Sequence, residues 1–116
     1  NIDVNLAIIN NGFHGMVRQW QEFFYQKDYV ATRFFNPDFV KLAEAYGMTG
    51  IHVAEKSAVR PAIEQAMQIK GPVIVDFMVD PEENVFPMIP AGTSVKEMLE
   101  RPVPGITLVE SKDAST

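Results

Sequence analysis

Val4-Asn5-Leu6-Ala7-Ile8-Ile9 runs directly into Asn10-Asn11-Gly12-Phe13-His14-Gly15, and this passage from an apolar run to a glycine-containing loop decides how the chain is read. A short, mostly apolar segment closed by the turn-forming Asn-Asn-Gly predicts a strand buried on both faces, a candidate central strand of a parallel sheet. Beyond Gly15, Met16, Val17, Trp20, Phe23 and Phe24 recur at helical spacing, with Arg18, Gln19, Gln21 and Glu22 on the other side. That pattern predicts an amphipathic helix with an aromatic face, and an aromatic stripe taken alone reads as core packing.

Farther along, Asn36-Pro37-Asp38 supplies an N-cap, a proline for the first helical position and an acid for the first turn, ahead of a helix that Gly47 ends. Ile51 to Ala54 reads as a short strand. The helix after it runs to about Ile69, with Pro61 obscuring its start. Val73 to Val79 is a second apolar strand, interrupted only by Asp76 and ended by Asp80-Pro81-Glu82-Glu83-Asn84; Asp76 reads as structural and the acidic pair as a solvated turn. Strand, helix, helix, strand, helix, strand is the rhythm of an α/β domain, a three-layer α/β/α fold on a mainly parallel sheet. Residues 1–100 are expected to form one piece of a domain, with a short helix over Val95 to Glu100. Residues 101–116 are expected to form a loop-rich tail, mobile unless a partner holds it.

With 47% hydrophobic and 22% charged residues in 116, composition is that of a single-core globular domain. Ten basic against 15 acidic residues give a net charge of -5, and the basic ones form no stripe, so nucleic acid is excluded as a partner. The absence of cysteine removes disulfides, thiolate metal sites and thiol nucleophiles. No apolar stretch approaches the roughly 20 residues of a membrane helix, so no membrane partner is expected. The chain begins with Asn1, with no leader pattern after it, and is read as cut from a longer protein.

Sheets of this kind bind ligands beyond the C-terminal ends of their strands, which directs attention to the loop from Asn10 to Gly15. A loop that opens a helix offers backbone N–H groups to an anion, and the Asn11 side-chain oxygen with a loop carbonyl suits a hard cation such as magnesium. A metal diphosphate fits; so does a plain Asn-Asn-Gly turn.

The length of the match adds a further reading. Asn10-Asn11-Gly12-Phe13-His14-Gly15-Met16-Val17-Arg18-Gln19-Trp20 resembles the close of the thiamine diphosphate motif in acetolactate synthase catalytic subunits. The resemblance continues through Asn36 to Ala45 and through Asp80 to Pro90, and it covers nearly all of residues 4 to 100. It implies the C-terminal part of a thiamine-diphosphate-binding domain, in which Asn11 gives its side chain and Phe13 its carbonyl to the magnesium. The loop Asn11, Gly12, Phe13, His14, Gly15 and Met16 would wrap the diphosphate. Gly12 and His14 depart from the commoner residues of the family. His14 reads either as a loop histidine without a chemical role or as a hydrogen-bond donor beside the cofactor.

By the same resemblance Met16, Val17 and Trp20 line a substrate channel, Trp20 favouring a larger 2-oxo acid, and Ala91 and Gly92 close over it. The last two read equally as a surface loop tethered by Phe86 and Met88. The implied activity is a transferase reaction of branched-chain amino acid (valine and isoleucine) biosynthesis. It condenses pyruvate with pyruvate or 2-oxobutyrate, with loss of CO2, in the bacterial cytoplasm or a plastid. The family's Gly-Asp-Gly aspartate, its activating glutamate from a neighbouring subunit and its FAD site all fall outside these residues. No catalytic residue is therefore assigned here, and the segment alone is expected to be inactive. Implied partners are the remainder of the catalytic subunit, a homodimer or homotetramer, a regulatory subunit and the 2-oxo acid substrates. Two competitors remain: another thiamine diphosphate enzyme, such as a 2-oxo acid decarboxylase or glyoxylate carboligase, and a non-catalytic α/β binding domain with a complete sheet of its own.

Overall fold

The apolar run after Gly71-Pro72 becomes the centre of the molecule. In a computed structural model that describes residues 2–102, β3 (Val73–Met78) lies between β1 (Asn5–Asn10) and β2 (Thr49–Val53), all parallel. The register sets Ala7 and Ile51 on either side of Val75. Three helices join the strands: α1 (Gly15–Phe24) and α2 (Phe39–Ala45) between β1 and β2, and α3 (Val59–Gln68), entered through a 3-10 turn at Lys56–Ala58, between β2 and β3. Pro61 falls in the first turn of α3, where the N–H it lacks would have no acceptor within the helix.

The chain crosses from β1 over β3 to β2 and then steps back, and right-handed crossovers in opposite directions put their helices on opposite faces. α3 covers one face, where Ala62 and Ala66 pack on Val53, Val73 and Val75 with Ile51 and Phe77 at the margin. α2 covers the other. A Cβ on Gly50 would come within 2.6 Å of the Val40 Cα, so glycine is what allows α2 to lie so close to β2. This is the expected three-layer α/β/α arrangement.

Several expectations are corrected. β1 is an edge of the sheet, not its centre, and Val4, Leu6 and Ile9 are 41%, 45% and 68% exposed. Its apolar character identifies a strand meant for burial, but only β3 pairs with it among the described residues. α1 is inverted relative to the expected amphipathic arrangement: Arg18 and Gln19 are buried while Met16, Val17, Trp20 and Phe24 are exposed, and Phe23 is only half-buried. The N-cap of α2 is Asp38, whose carboxylate accepts from the Val40 and Lys41 N–H groups at 3.1 Å each; Asn36 and Pro37 precede the helix. Those donors hold the Asp38 carboxyl below its usual range, the Lys41 N–H foremost.

By its internal contacts the chain divides into two compact units, Asn1–Asn84 and Val85–Thr116. In the second, Met88 and Leu99 exchange backbone hydrogen bonds of 2.9 and 2.7 Å. The helix expected over Val95 to Glu100 is a single 3-10 turn, Val95–Glu97, closed by a Ser94–Glu97 capping box. The tail expected from Arg101 onward lies, beyond Pro102, outside the described residues. Among the described residues no helix is long and apolar enough to cross a membrane.

Candidate functional site

The two adjacent asparagines have different work. Asn10, 8% exposed at the end of β1, donates through Nδ2 to Asp76 Oδ1 on β3 at 3.0 Å. Its Oδ1 accepts from the Gly12 N–H at 3.2 Å and from Asn36 Nδ2 at 2.6 Å. With both ends of its amide engaged, Asn10 is a fixed support. Among the described residues Asn11 accepts only the Phe13 N–H, at 3.0 Å, which leaves a lone pair of its Oδ1 for a cation. Gly15 gives the Asn11 amide room: a Cβ there would stand 3.0 Å from Asn11 Nδ2.

The loop is braced by the segment that follows α1. The Phe34 N–H donates to the Gly12 carbonyl at 3.1 Å and the His14 N–H to the Thr32 carbonyl at 2.8 Å, with Phe13 facing Arg33 between them. Gly12 has φ of +69° with open space where a Cβ would be, so the position needs a left-handed residue rather than a small one. His14 stacks at a tilt on Phe34, ring centroids 4.7 Å apart.

α1 begins at this loop without a side-chain cap and without an acid in its first turn. Its leading N–H groups are therefore available to an anion from outside the helix. Arg18, one turn in, is the hidden anchor. Its guanidinium bonds the Pro81 carbonyl at 2.9 Å, pairs with Glu82 and with Glu22, and sits 5.2 and 4.6 Å from the Phe13 and Tyr29 ring centroids. Glu82 lies in the exposed turn expected there and is also one arm of a tie between α1 and the chain after β3.

A cleft of about 390 Å³ opens beyond the C-terminal ends of β1 and β3, lined by Asn10 to Phe13 on one side and Met78, Val79 and Pro81 on another. It lies where an α/β sheet of this connectivity holds its ligand. Met16, Val17 and Trp20 share the exposed side of α1, with Trp20 tilted on Phe24 at 5.1 Å. Ala91 and Gly92 belong to the second unit, in the turn that Thr93 closes by donating its N–H to the Pro90 carbonyl at 3.2 Å. From sequence Arg18 has no role beyond the polar side of a helix, Asn36 reads as a helix cap and Asp76 as structural, and none is assigned to the loop. Of these only Asp76 carried a signal, as the lone acid inside an otherwise apolar strand.

A parallel α/β sheet whose first strand ends in a braced, glycine-containing loop at an uncapped helix start defines an α/β domain with a candidate anion-binding loop. The chain belongs to the thiamine pyrophosphate enzymes, whose C-terminal TPP binding domain matches residues 1–77. It is 46% identical over 103 residues to an acetolactate synthase of Mycobacterium bovis, covering 84% of this chain and 17% of that protein. It is 39% identical over 101 residues to the acetolactate synthase isozyme 2 large subunit of Escherichia coli, covering 86% and 18%. It is also 36% identical over 99 residues to the mitochondrial acetolactate synthase of Schizosaccharomyces pombe, covering 85% and 15%. The chain thus spans less than a fifth of the length of these relatives.

Proposed function

We propose that the chain is the closing part of the cofactor domain of an acetolactate synthase catalytic subunit, and that Asn11 to Met16 hold the magnesium diphosphate end of thiamine diphosphate. The observation that carries this reading is the division of labour between the asparagines: Asn10 is fully engaged, while Asn11 keeps a free oxygen lone pair in the loop that leads directly into an uncapped helix start at His14. Asn11 Oδ1 and the Phe13 carbonyl are neutral oxygens of the kind magnesium takes. No group of three or more His, Cys, Asp or Glu able to hold a metal is present among the described residues. The two oxygens would therefore be joined by diphosphate oxygens and an acid from the rest of the enzyme.

When bound, thiamine diphosphate supplies the electron sink for a carbanion formed by decarboxylation of a 2-oxo acid. This chain's contribution is to bind and orient that cofactor by its charged end. Met16, Val17 and Trp20 present an apolar wall to a substrate channel, pyruvate and a second 2-oxo acid being the substrates. The exposed edge and apolar side chains of β1 favour burial by the remainder of the catalytic subunit, within a homodimer or homotetramer and with a regulatory subunit as a further partner. FAD would be carried by another domain. The similar proteins include one mitochondrial by name, which widens the expected compartments beyond the bacterial cytoplasm and plastid.

The test uses the full-length enzyme. It should form acetolactate from pyruvate in a magnesium-dependent reaction that Asn11→Ala abolishes. Release of an aldehyde from pyruvate instead would move the enzyme to the decarboxylases, and unchanged magnesium dependence in Asn11→Ala would remove the metal assignment.

A further inference from the structure

Asp76 has no part in the cofactor assignment above, yet it occupies the most enclosed strand of the sheet at 6% exposure. A carboxylate persists in such a place only when its oxygens are bonded. Both are: Oδ1 receives Asn10 Nδ2 at 3.0 Å, and Oδ2 lies 3.2 Å from Nδ1 of the half-exposed His52 on β2. An apolar residue would fill the strand as well, so a structural requirement for bulk does not explain an acid here.

The chemistry of an amide does. An asparagine side chain has two orientations of nearly equal shape that exchange its donor and its acceptor. An ionised carboxylate only accepts, so Asp76 selects the orientation that turns Nδ2 toward the sheet and Oδ1 toward the loop. Oδ1 is the atom that receives the Gly12 N–H and the Asn36 amide. With the other orientation, NH2 would meet those donors and the turn carrying Asn11 and Phe13 would lose its brace.

We propose that Asp76 is a positioning residue for the metal-diphosphate loop, fixing through the Asn10 amide where Asn11 and Phe13 present their oxygens. This rests on the proposed cofactor reading. Residues that orient metal ligands in this way, when replaced, typically cost about 10- to 100-fold in metal affinity.

In the full-length enzyme, magnesium binding is followed by calorimetry in the presence of thiamine diphosphate, alongside the magnesium dependence of turnover. Asp76→Leu is expected to weaken magnesium binding about 10- to 100-fold while turnover at saturating magnesium is largely kept. Asp76→Asn, which can still accept from Asn10, should restore most of the loss. Asn10→Ala leaves Asp76 with His52 and should reproduce the loss, and it decides the matter if Asp76→Leu does not fold. Wild-type magnesium affinity in folded Asn10→Ala overturns the proposal, as does failure of Asp76→Asn to improve on a folded Asp76→Leu. Asn11→Ala separates the two levels: if it abolishes binding while Asn10→Ala does not, only the positioning role falls. If Asn11→Ala binds magnesium normally, the cofactor reading itself falls.

Discussion

Helices α2 and α3 bury small residues against the sheet within the chain, although Leu42, Ile63 and Met67 still meet solvent, whereas α1 buries no apolar residue at all. α3 turns Ala62 and Ala66 onto the sheet, and α2 lies against β2 close enough to require Gly50. α1 does the reverse: it buries Arg18 and Gln19 and leaves Met16, Val17, Trp20 and Phe24 exposed. The helix starts differ in the same sense. α2 is capped by Asp38, while α1 opens bare beside the Asn11 loop. The two helices around the sheet make the fold, and the third presents it to whatever completes the site.

If that contrast is real, substitutions on the two sides must separate in stability measurements. Gly50→Val should have the largest effect. Its first added atom meets the Val40 backbone, which cannot yield without lifting α2 from β2, and the cost is about 3 kcal/mol or more, read as a lowered urea midpoint. A midpoint within error of the parent would mean that α2 is loosely held, and the contrast with α1 would vanish. Arg18→Met comes next, at about 1–3 kcal/mol, because the Pro81 carbonyl and the Glu82 carboxylate lose their partner and Glu22 keeps only Lys27 and Asn84. The loss should appear as faster local hydrogen exchange in α1, leaving β3 protected. Equal loss of protection in both would show that α1 is part of the same cooperative core.

Trp20→Ser should cost about 1 kcal/mol, less than either change above, since its ring is 40% exposed and rests on Phe24. In the full-length enzyme the same change should alter the preference between pyruvate and a larger second 2-oxo acid. A large destabilisation of the chain without any shift in substrate preference would return Trp20 to the core.

How much of this was legible in the sequence follows from the same contrast. The strand and helix periods around Val73, Ala62 and Ala66 state their own partners, because the residues that bury one another lie within the chain, and the three-layer fold was readable. β1 and α1 carry the same apolar periods, but periodicity reports only that a face is apolar, not that its cover is present. Hence a strand expected at the centre stands at an edge, and a stripe expected inside is exposed. At the candidate site, the assignment of Asn11 and Phe13 comes from resemblance, whereas the contacts of Asp76 and Asn36 with Asn10 arise where β1, β3 and the approach to α2 converge. Sequence separations of 66 and 26 residues give such hydrogen bonds no local signature.

The helix caps offer the finest test of the contrast. Asp38 has its pKa depressed by the N–H groups it accepts, so the stabilisation it gives is complete above its unfolded value near 3.8 and is lost as pH falls through the lower folded value. Asparagine caps a helix comparably but does not titrate. Asp38→Asn should therefore match the parent at neutral pH and show a shallower fall in melting temperature as pH drops below about 4. α1 begins without an acid and adds nothing to that slope, whereas Glu97, held below its usual range by the Ser94 N–H of its capping box, adds a part that Asp38→Asn leaves in place. An acid slope unchanged by Asp38→Asn would mean that the cap is not formed in solution and that α2 begins as unsupported as α1.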